Sequence, residues 1–258
     1  MPNRGRTRGV GVLSFPGFPK GVKWLLIANV AVFFLGFFAQ LAGLDRPFSY
    51  LALIPAAVVK LLFVWQLVTY LFLHAGIFHI LWNMLALWMF GAELEQVWGT
   101  RRFLRFYFFC GVGAGVCVVL LNYLLPAGPG HSLLPKGDPY SATLGSSGAI
   151  FGLLLAYAML FPTRTILFSF LVPMQVKWYV IIFGVLSLMG AYQVNSGVSA
   201  FAHLGGLLFG YIYMKLPGGS FDVAGPVRRR YRQWKLQRAK KKFQVYLRKQ
   251  GNQDPWVH

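Results

Sequence analysis

The sequence predicts an all-α polytopic membrane protein, a bundle of six transmembrane helices with an interfacial first loop, and three observations point to it. Hydrophobic residues make up 57% of the 258 and charged residues only 12%, against about a quarter charged in ordinary soluble domains. Six apolar stretches approach the roughly 20 helical residues that cross a bilayer, a task that runs of about 17 still manage. The basic residues, finally, fall in topological register with those six stretches.

The first span covers roughly 23–41, and the chain up to its start carries Arg4, Arg6, Arg8, Lys20 and Lys23 with no acid. Residues 42–76 alternate polar breaks with apolar pieces and read as interfacial or re-entrant; a seventh helix over 53–73 is the rival reading. The remaining spans are expected at about 77–97, 103–125, 147–161, 178–194 and 199–216. The fourth is short unless its polar beginning is itself helical and shielded by protein. Arg101, Arg102 and Arg105 follow the second span, Arg164 and Lys177 flank the turn between the fourth and fifth, and the chain after 217 is densely basic. All of these share one side if six spans leave both termini inside, whereas seven would put the basic tail outside.

The expected organisation is therefore a basic cytoplasmic segment over 1–22, a membrane domain over 23–216 and a basic cytoplasmic tail over 217–258. The formal net charge of +19 follows from positive-inside placement and calls for no nucleic-acid partner. In the tail, Tyr231, Trp234, Phe243, Tyr246 and Leu247 interleave with Arg and Lys. Two readings stay open for it: a helix lying on anionic inner-leaflet lipid, or a solvated, disordered tail. Cys110 and Cys117, seven apart on one face of the third span, read as buried small hydrophobes rather than a redox pair. No cleavable signal is read, since the first span lacks a small-residue cleavage site and leads into a polar connector. No long repeat or zinc spacing occurs, so neither metal nor cofactor is expected.

Polar side chains are costly inside a membrane and usually face a cavity or a partner. The candidates are His74, His79 and Asn83 at the second span, Ser146 and Ser147 at the start of the fourth, and His203 in the sixth; Asn29, Gln66, Tyr157 and Glu93 are less clearly grouped. Ser147 lies fifteen residues before Pro162, His203 fourteen before Pro217 and Asn83 sixteen before Gly99. At about 1.5 Å per residue all three stand roughly 21 to 24 Å above the inner end. His79 and Asn83, four apart, share a helical face. His74 is offset from both and belongs to the connector, where its ring can fix the loop.

Gly145, Gly148 and Gly152 in the fourth span, with Gly206 and Gly210 in the sixth, give the small-residue spacing that lets helices approach closely. If those faces meet, Ser147 and His203 come within reach of proton transfer, with His203 as general base for a hydroxyl that is a weak nucleophile alone. An oxyanion formed by attack on a carbonyl would find donors in the backbone amides at the helix start and in the side chains of Asn83 and His79. Glu93 and Glu95 lie about 15 to 18 Å below Asn83 by helical rise, and Asp138 is in the outer loop. A Ser–His dyad without a carboxylate is the expectation. Phe151, one turn after Ser147, is placed to stack on the imidazole or to be an ordinary core aromatic.

Three separated motifs, "HAGIFHILWN" at 74–83, "GSSG" at 145–148 and "AHLGGLLFG" at 202–210, resemble those of the rhomboid intramembrane serine proteases. The connectors at 91–103 and 161–178 are similar too, so the resemblance spans roughly 24–216. It implies Ser147 as nucleophile, His203 as base, His79 and Asn83 at the oxyanion site, His74 as a loop support, and Gly206 and Gly210 on the packing face. It also implies that 42–76 projects laterally, that the fifth helix is the mobile side through which a substrate enters, and that substrates are membrane-anchored proteins cut near the outer end of a transmembrane segment. Two departures stand out. Trp65-Gln66 replaces the Trp-Arg of many members, so that arginine's contacts are missing, and Phe151 stands where some carry Tyr.

The expected activity is therefore serine endopeptidase action in the plasma (inner) membrane of a prokaryote, with the active site toward the outer side and the outer loop 128–140 bordering it. Two rivals remain. A small-solute transporter should carry polar groups down to the inner face, yet "LLLAYAML" and "LLFGYIYM" below the site are nearly apolar. A non-catalytic membrane-helix-binding protein would keep the groove without depending on both Ser147 and His203.

Overall fold

Proline 19 starts the first helix and a left-handed glycine follows its end. Helix α1, Lys20–Leu41, has Pro19 at its N-cap, and Gly43 follows it at φ +69. This computed structural model describes residues 17–44, 46–125, 138–168, 172–190, 197–216, 234–238 and 240. The chain forms two compact units, Met1–Lys215 and Leu216–His258. In the second, residues 234–238 are helical and Arg238 lies over the Trp234 ring. Most of the basic N-terminal segment, residues 126–137, which include most of the 128–140 loop, and most of the tail lie outside the described residues.

Most of α1 faces away from the protein, with Phe34, Leu35, Phe37 and Phe38 exposed. In water such a surface would be untenable at this size; in hydrocarbon it is ordinary. Its start is tied down from a distance. The buried Glu95 carboxylate accepts the Gly21 and Val22 backbone N–H groups at 2.8 Å each, and Thr100 Oγ1 donates to it at 2.6 Å. Two first-turn amides that a helix leaves orphaned are thereby satisfied.

The connector folds into pieces: α2 Arg46–Ser49, α3 Pro55–Leu61, α4 Gln66–Thr69 and a 3₁₀ turn Tyr70–Phe72. None exceeds seven residues, so no continuous helix runs over 53–73. Pro55 opens α3, and Leu62 closes it in the left-handed region at φ 58. At the position of that arginine, buried Gln66 accepts the Ile54 N–H at 3.1 Å and donates to the Tyr50 carbonyl at 3.2 Å. A neutral amide holds both strands of the loop without a buried charge.

Helix α5, Ile77–Ala86, continues through a π-helical stretch, Leu87–Gly91, into α6, Ala92–Trp98. Gly99 at φ +77 turns the chain into α7, Thr100–Leu124. Then come α8, Ser147–Leu160, α9, Val176–Gly190, and α10, Gly197–Lys215. Among the described residues, Lys20–Leu41, Ile77–Trp98 and Thr100–Leu124 are long and apolar enough to cross a membrane. Helices α7, α8 and α10 pack on one another around Phe106, Cys110, Leu153 and Tyr213.

Among the described residues, the expectation of an all-α chain is corrected in the turn between α8 and α9. There β1, Thr165–Phe168, pairs antiparallel with β2, Val172–Gln175. The segment is too short for a helix between two apolar helices, and pairing its backbone groups satisfies them locally. At its base Arg164 Nη2 meets Glu93 Oε1 at 2.8 Å, and Tyr157 donates its hydroxyl to the same carboxylate.

Candidate active site

Helix α8 spans 14 residues, about 21 Å at helical rise, short of a bilayer's core. It survives because Gly148 to Leu154 are buried in protein without a break, which spares its polar start from lipid. The close approach of α10 needs glycine on both sides. A Cβ at Gly206 would collide with the Gly148 carbonyl oxygen, and one at Gly210 would lie 3.0 Å from Gly152 Cα. On the other face, a Cβ at Gly152 would lie 2.6 Å from Cys110 Sγ, which gives the buried thiol its packing role.

That approach brings His203 Nε2 to 2.9 Å from Ser147 Oγ. The imidazole stacks on Phe151, with ring centroids 4.2 Å apart and planes 7° from parallel. Stacking fixes the ring's plane and leaves its edge directed at the hydroxyl. No acidic residue lines the surrounding cavity among the described residues.

The cavity has a volume of about 580 Å³ and takes Ser147, His203, His79 and Asn83 into one lining, walled by Trp82 of α5 and Phe183 of α9. Gly145 precedes the site at φ +114, and any Cβ there would lie 2.8 Å from His79 Nε2, so both backbone and space require glycine. The Ala75 N–H points at His79 Nδ1 from 3.4 Å. Accepting at Nδ1 leaves the neutral ring's proton on Nε2, which makes that edge a donor. Asn83 spends one amide hydrogen on the His79 carbonyl at 2.8 Å and keeps another.

The first turn of α8 has no side-chain cap from Ser146, so its amides are not blocked. Ser146 Oγ instead lies 3.4 Å from His74 Nε2. His74 stands outside the helix, its ring 5.0 Å from that of His79. Burial, then the neighbouring His79, push its imidazole from the ordinary 6.5 down to about 4, so it is neutral at neutral pH. His74 lines a separate cavity of about 770 Å³ bounded by α1 and the connector, and not the one holding Ser147.

The family model described as Rhomboid domain matches residues 62–218, which include every residue of this cavity. The chain belongs to the rhomboid family. Members of that family are in general intramembrane serine proteases. Among similar proteins, RHOMBOID-like protein 1 of Arabidopsis thaliana is 32% identical over 150 residues, 58% of this chain and 33% of its own length. Rhomboid protease GluP of Bacillus subtilis (strain 168) is 31% identical over 147 residues, 57% of this chain and 25% of its own. Putative rhomboid protease YdcA of the same strain is 30% identical over 149 residues, 57% of this chain and 64% of its own. The matched region thus spans less than two thirds of each of these rhomboid relatives.

Sequence reasoning did not single out Glu95, whose partners Gly21 and Val22 lie 74 and 73 positions away. Nor did it single out the cavity wall of Phe78, Trp82, Tyr179, Phe183 and Leu186. For Glu95 there was a signal, an acid within an apolar helix. For the wall there was none, since apolar residues on membrane helices do not announce which side they face.

Proposed function

We propose that this protein is an intramembrane serine endopeptidase hydrolysing peptide bonds in or near transmembrane segments of membrane-anchored proteins. The observation that carries the reading is the 2.9 Å contact between His203 Nε2 and Ser147 Oγ inside a cavity whose other polar lining includes His79 and Asn83.

In the reaction, His203 Nε2 takes the Ser147 proton as Oγ attacks the scissile carbonyl carbon. The negative oxygen is held by the first-turn amides of α8, the remaining Asn83 amide hydrogen and His79 Nε2–H. The imidazolium then protonates the leaving amine, and the C–N bond breaks. Water entering from the outer side, deprotonated by the same nitrogen, releases the acyl group and restores Ser147. Phe151 supplies through stacking the orientation that a carboxylate supplies in a triad. A substrate helix must unwind to present its carbonyl, which Gly and Pro near the cut make easier.

The six apolar segments α1, α5 to α6, α7, α8, α9 and α10 serve as six spans. Basic residues on one side set both termini in the cytoplasm and the reactive pair toward the outer leaflet. A basic segment over 1–22, a protease domain over 23–216 and a basic tail over 217–258 make up the chain. The tail's cations suit anionic inner-leaflet lipid, and a prokaryotic plasma membrane is the location.

The decisive experiment incubates purified protein in detergent with a single-span substrate and a serine-reactive fluorophosphonate. Ser147→Ala and His203→Ala should each abolish cleavage, and labelling should fall to background in both. Cleavage surviving either substitution rejects the mechanism. Reporters fused after residues 130 and 217 should read outside and inside respectively; any other result rejects the orientation.

A further inference from the structure

One tyrosine joins three parts of the fold next to the start of α8. Tyr70, first residue of the 3₁₀ turn that ends the connector, is fully buried, and its phenol donates to the Gly111 carbonyl inside α7 at 2.7 Å. A carbonyl in a helix keeps a second lone pair after its i+4 bond, so the contact leaves α7 unbroken. Small residues let the turn sit this close: a Cβ at Gly111 would lie 2.7 Å from Leu71 Cδ1, and one at Gly115 3.3 Å from Tyr70 Cε1. The hydroxyl also reaches the first turn of α8, where a Cβ on Gly148 would lie 3.6 Å from it. The backbone of the same residue holds the chain leading into that turn. The Tyr70 carbonyl accepts the Gly145 N–H at 2.9 Å, besides the Leu73 N–H at 3.2 Å. Gly145 is the left-handed residue two before Ser147, and the room a side chain would need there is taken by His79 Nε2.

We propose that Tyr70 is a positioning residue for the reaction: its hydroxyl, fastened to Gly111, fixes the carbonyl that holds Gly145, and Gly145 sets where the first amides of α8 and the His79 Nε2 edge stand around the oxyanion. This rests on the protease reading above. Tyr70 is not among the residues lining the Ser147 cavity, so it acts through the turn and not on the substrate. Oxyanion donors are worth most when they are already aimed at the charge that develops, with no reorganisation left to do. A turn with a left-handed residue at its centre needs an external hold to supply that aim. Tyr70 grips it from two directions, by the phenol on α7 and by the carbonyl on Gly145.

The test compares Tyr70→Phe with the wild type and with Thr69→Val. The first keeps ring and carbonyl and removes only the anchor. The second removes a bond of the same kind that stays within the connector, from Thr69 Oγ1 to the Leu51 carbonyl at 2.7 Å. In steady-state cleavage of a single-span substrate, Tyr70→Phe should lower kcat about tenfold, the factor one buried hydrogen bond is worth, with KM unchanged, and Thr69→Val should leave kcat as it is. Amide hydrogen exchange resolved by NMR in detergent should run about tenfold faster at Gly145 in Tyr70→Phe. The Thr143 N–H, held by the Leu53 carbonyl at 2.8 Å, should keep its wild-type rate. An unchanged kcat, a loss carried by KM, an equal kcat loss in Thr69→Val, or exchange that quickens at Thr143 as much as at Gly145 overturns the proposal. So does a Tyr70→Phe protein that fails to fold, since the tyrosine would then serve folding alone. If Ser147→Ala leaves cleavage intact, the protease reading is what fails, and exchange at Gly145 then decides by itself: a faster rate in Tyr70→Phe supports the anchor, and an unchanged one overturns it.

Discussion

Replacing Gly206 by alanine should disable the protein while Gly210→Ala should spare most of its activity, although both lie on the same face of α10. At position 206 the new methyl would run into the Gly148 carbonyl oxygen, backbone against backbone, where no rotamer offers relief. Helices α8 and α10 would have to part by on the order of 1 Å, with an overpacking cost of about 1 to 3 kcal/mol. The 2.9 Å Ser147–His203 contact would then exceed proton-transfer range. A misplacement of that size is worth about a hundredfold in rate. At position 210 the nearest atom is Gly152 Cα at 3.0 Å, which a shift of a few tenths of an ångström relieves, and a loss below about tenfold is expected. Steady-state cleavage of a single-span substrate, with kcat and KM separated and Tm measured alongside, reads both. Full kcat in Gly206→Ala, or a greater loss in Gly210→Ala, would refute the claim that glycine contact sets the reactive distance.

Asn83→Ala should lower kcat by about a hundredfold, roughly 3 kcal/mol of transition-state stabilisation, with KM little changed; initial-rate kinetics showing a pure KM effect would remove Asn83 from the oxyanion site. His74, held well below its ordinary range by burial and by His79, must gain a proton on unfolding between about pH 4 and 6.5. The stability due to its neutral ring is therefore complete above pH 6.5 and drains away as pH falls toward 4. Thermal unfolding across that window should show the slope in wild type and a flatter profile in His74→Phe. Glu95→Gln weakens two charge-assisted bonds to the start of α1 and should lower stability by about 1.5 to 3 kcal/mol, read as a fall in Tm; an unaltered Tm would mean the start of α1 is held by other contacts.

How far the site can be read from sequence depends on geometry that helical counting captures. Ser147, His203 and Asn83 were expected at one height by residue arithmetic from Pro162, Pro217 and Gly99, and all three line one cavity. A rise of 1.5 Å per residue carries that inference because membrane helices run nearly straight between their ends. Rotation is harder. Phe151 had two equal readings by period, and only the packing of α8 on α10 turns its ring to His203. The pairing of Thr165–Phe168 with Val172–Gln175 is not legible in the sequence, because the segments include Pro173 and show no clean alternation. Gln66 in place of the Trp-Arg arginine predicts missing contacts in the connector, and pattern alone does not reveal that an amide at 66 bridges Tyr50 and Ile54.

Where α8 and α10 cross on glycine there is no side chain to exchange: Gly206 meets Gly148 and Gly210 meets Gly152, backbone to backbone. Adaptation to a new target cannot be written there. It has a place on the opposing wall at Phe183, which lines the cavity on α9, a helix that carries none of Ser147, His203, His79 and Asn83. A change of bulk on α9 is separated, helix by helix, from the groups around the Ser147–His203 contact, so one can be engineered while the other is held constant.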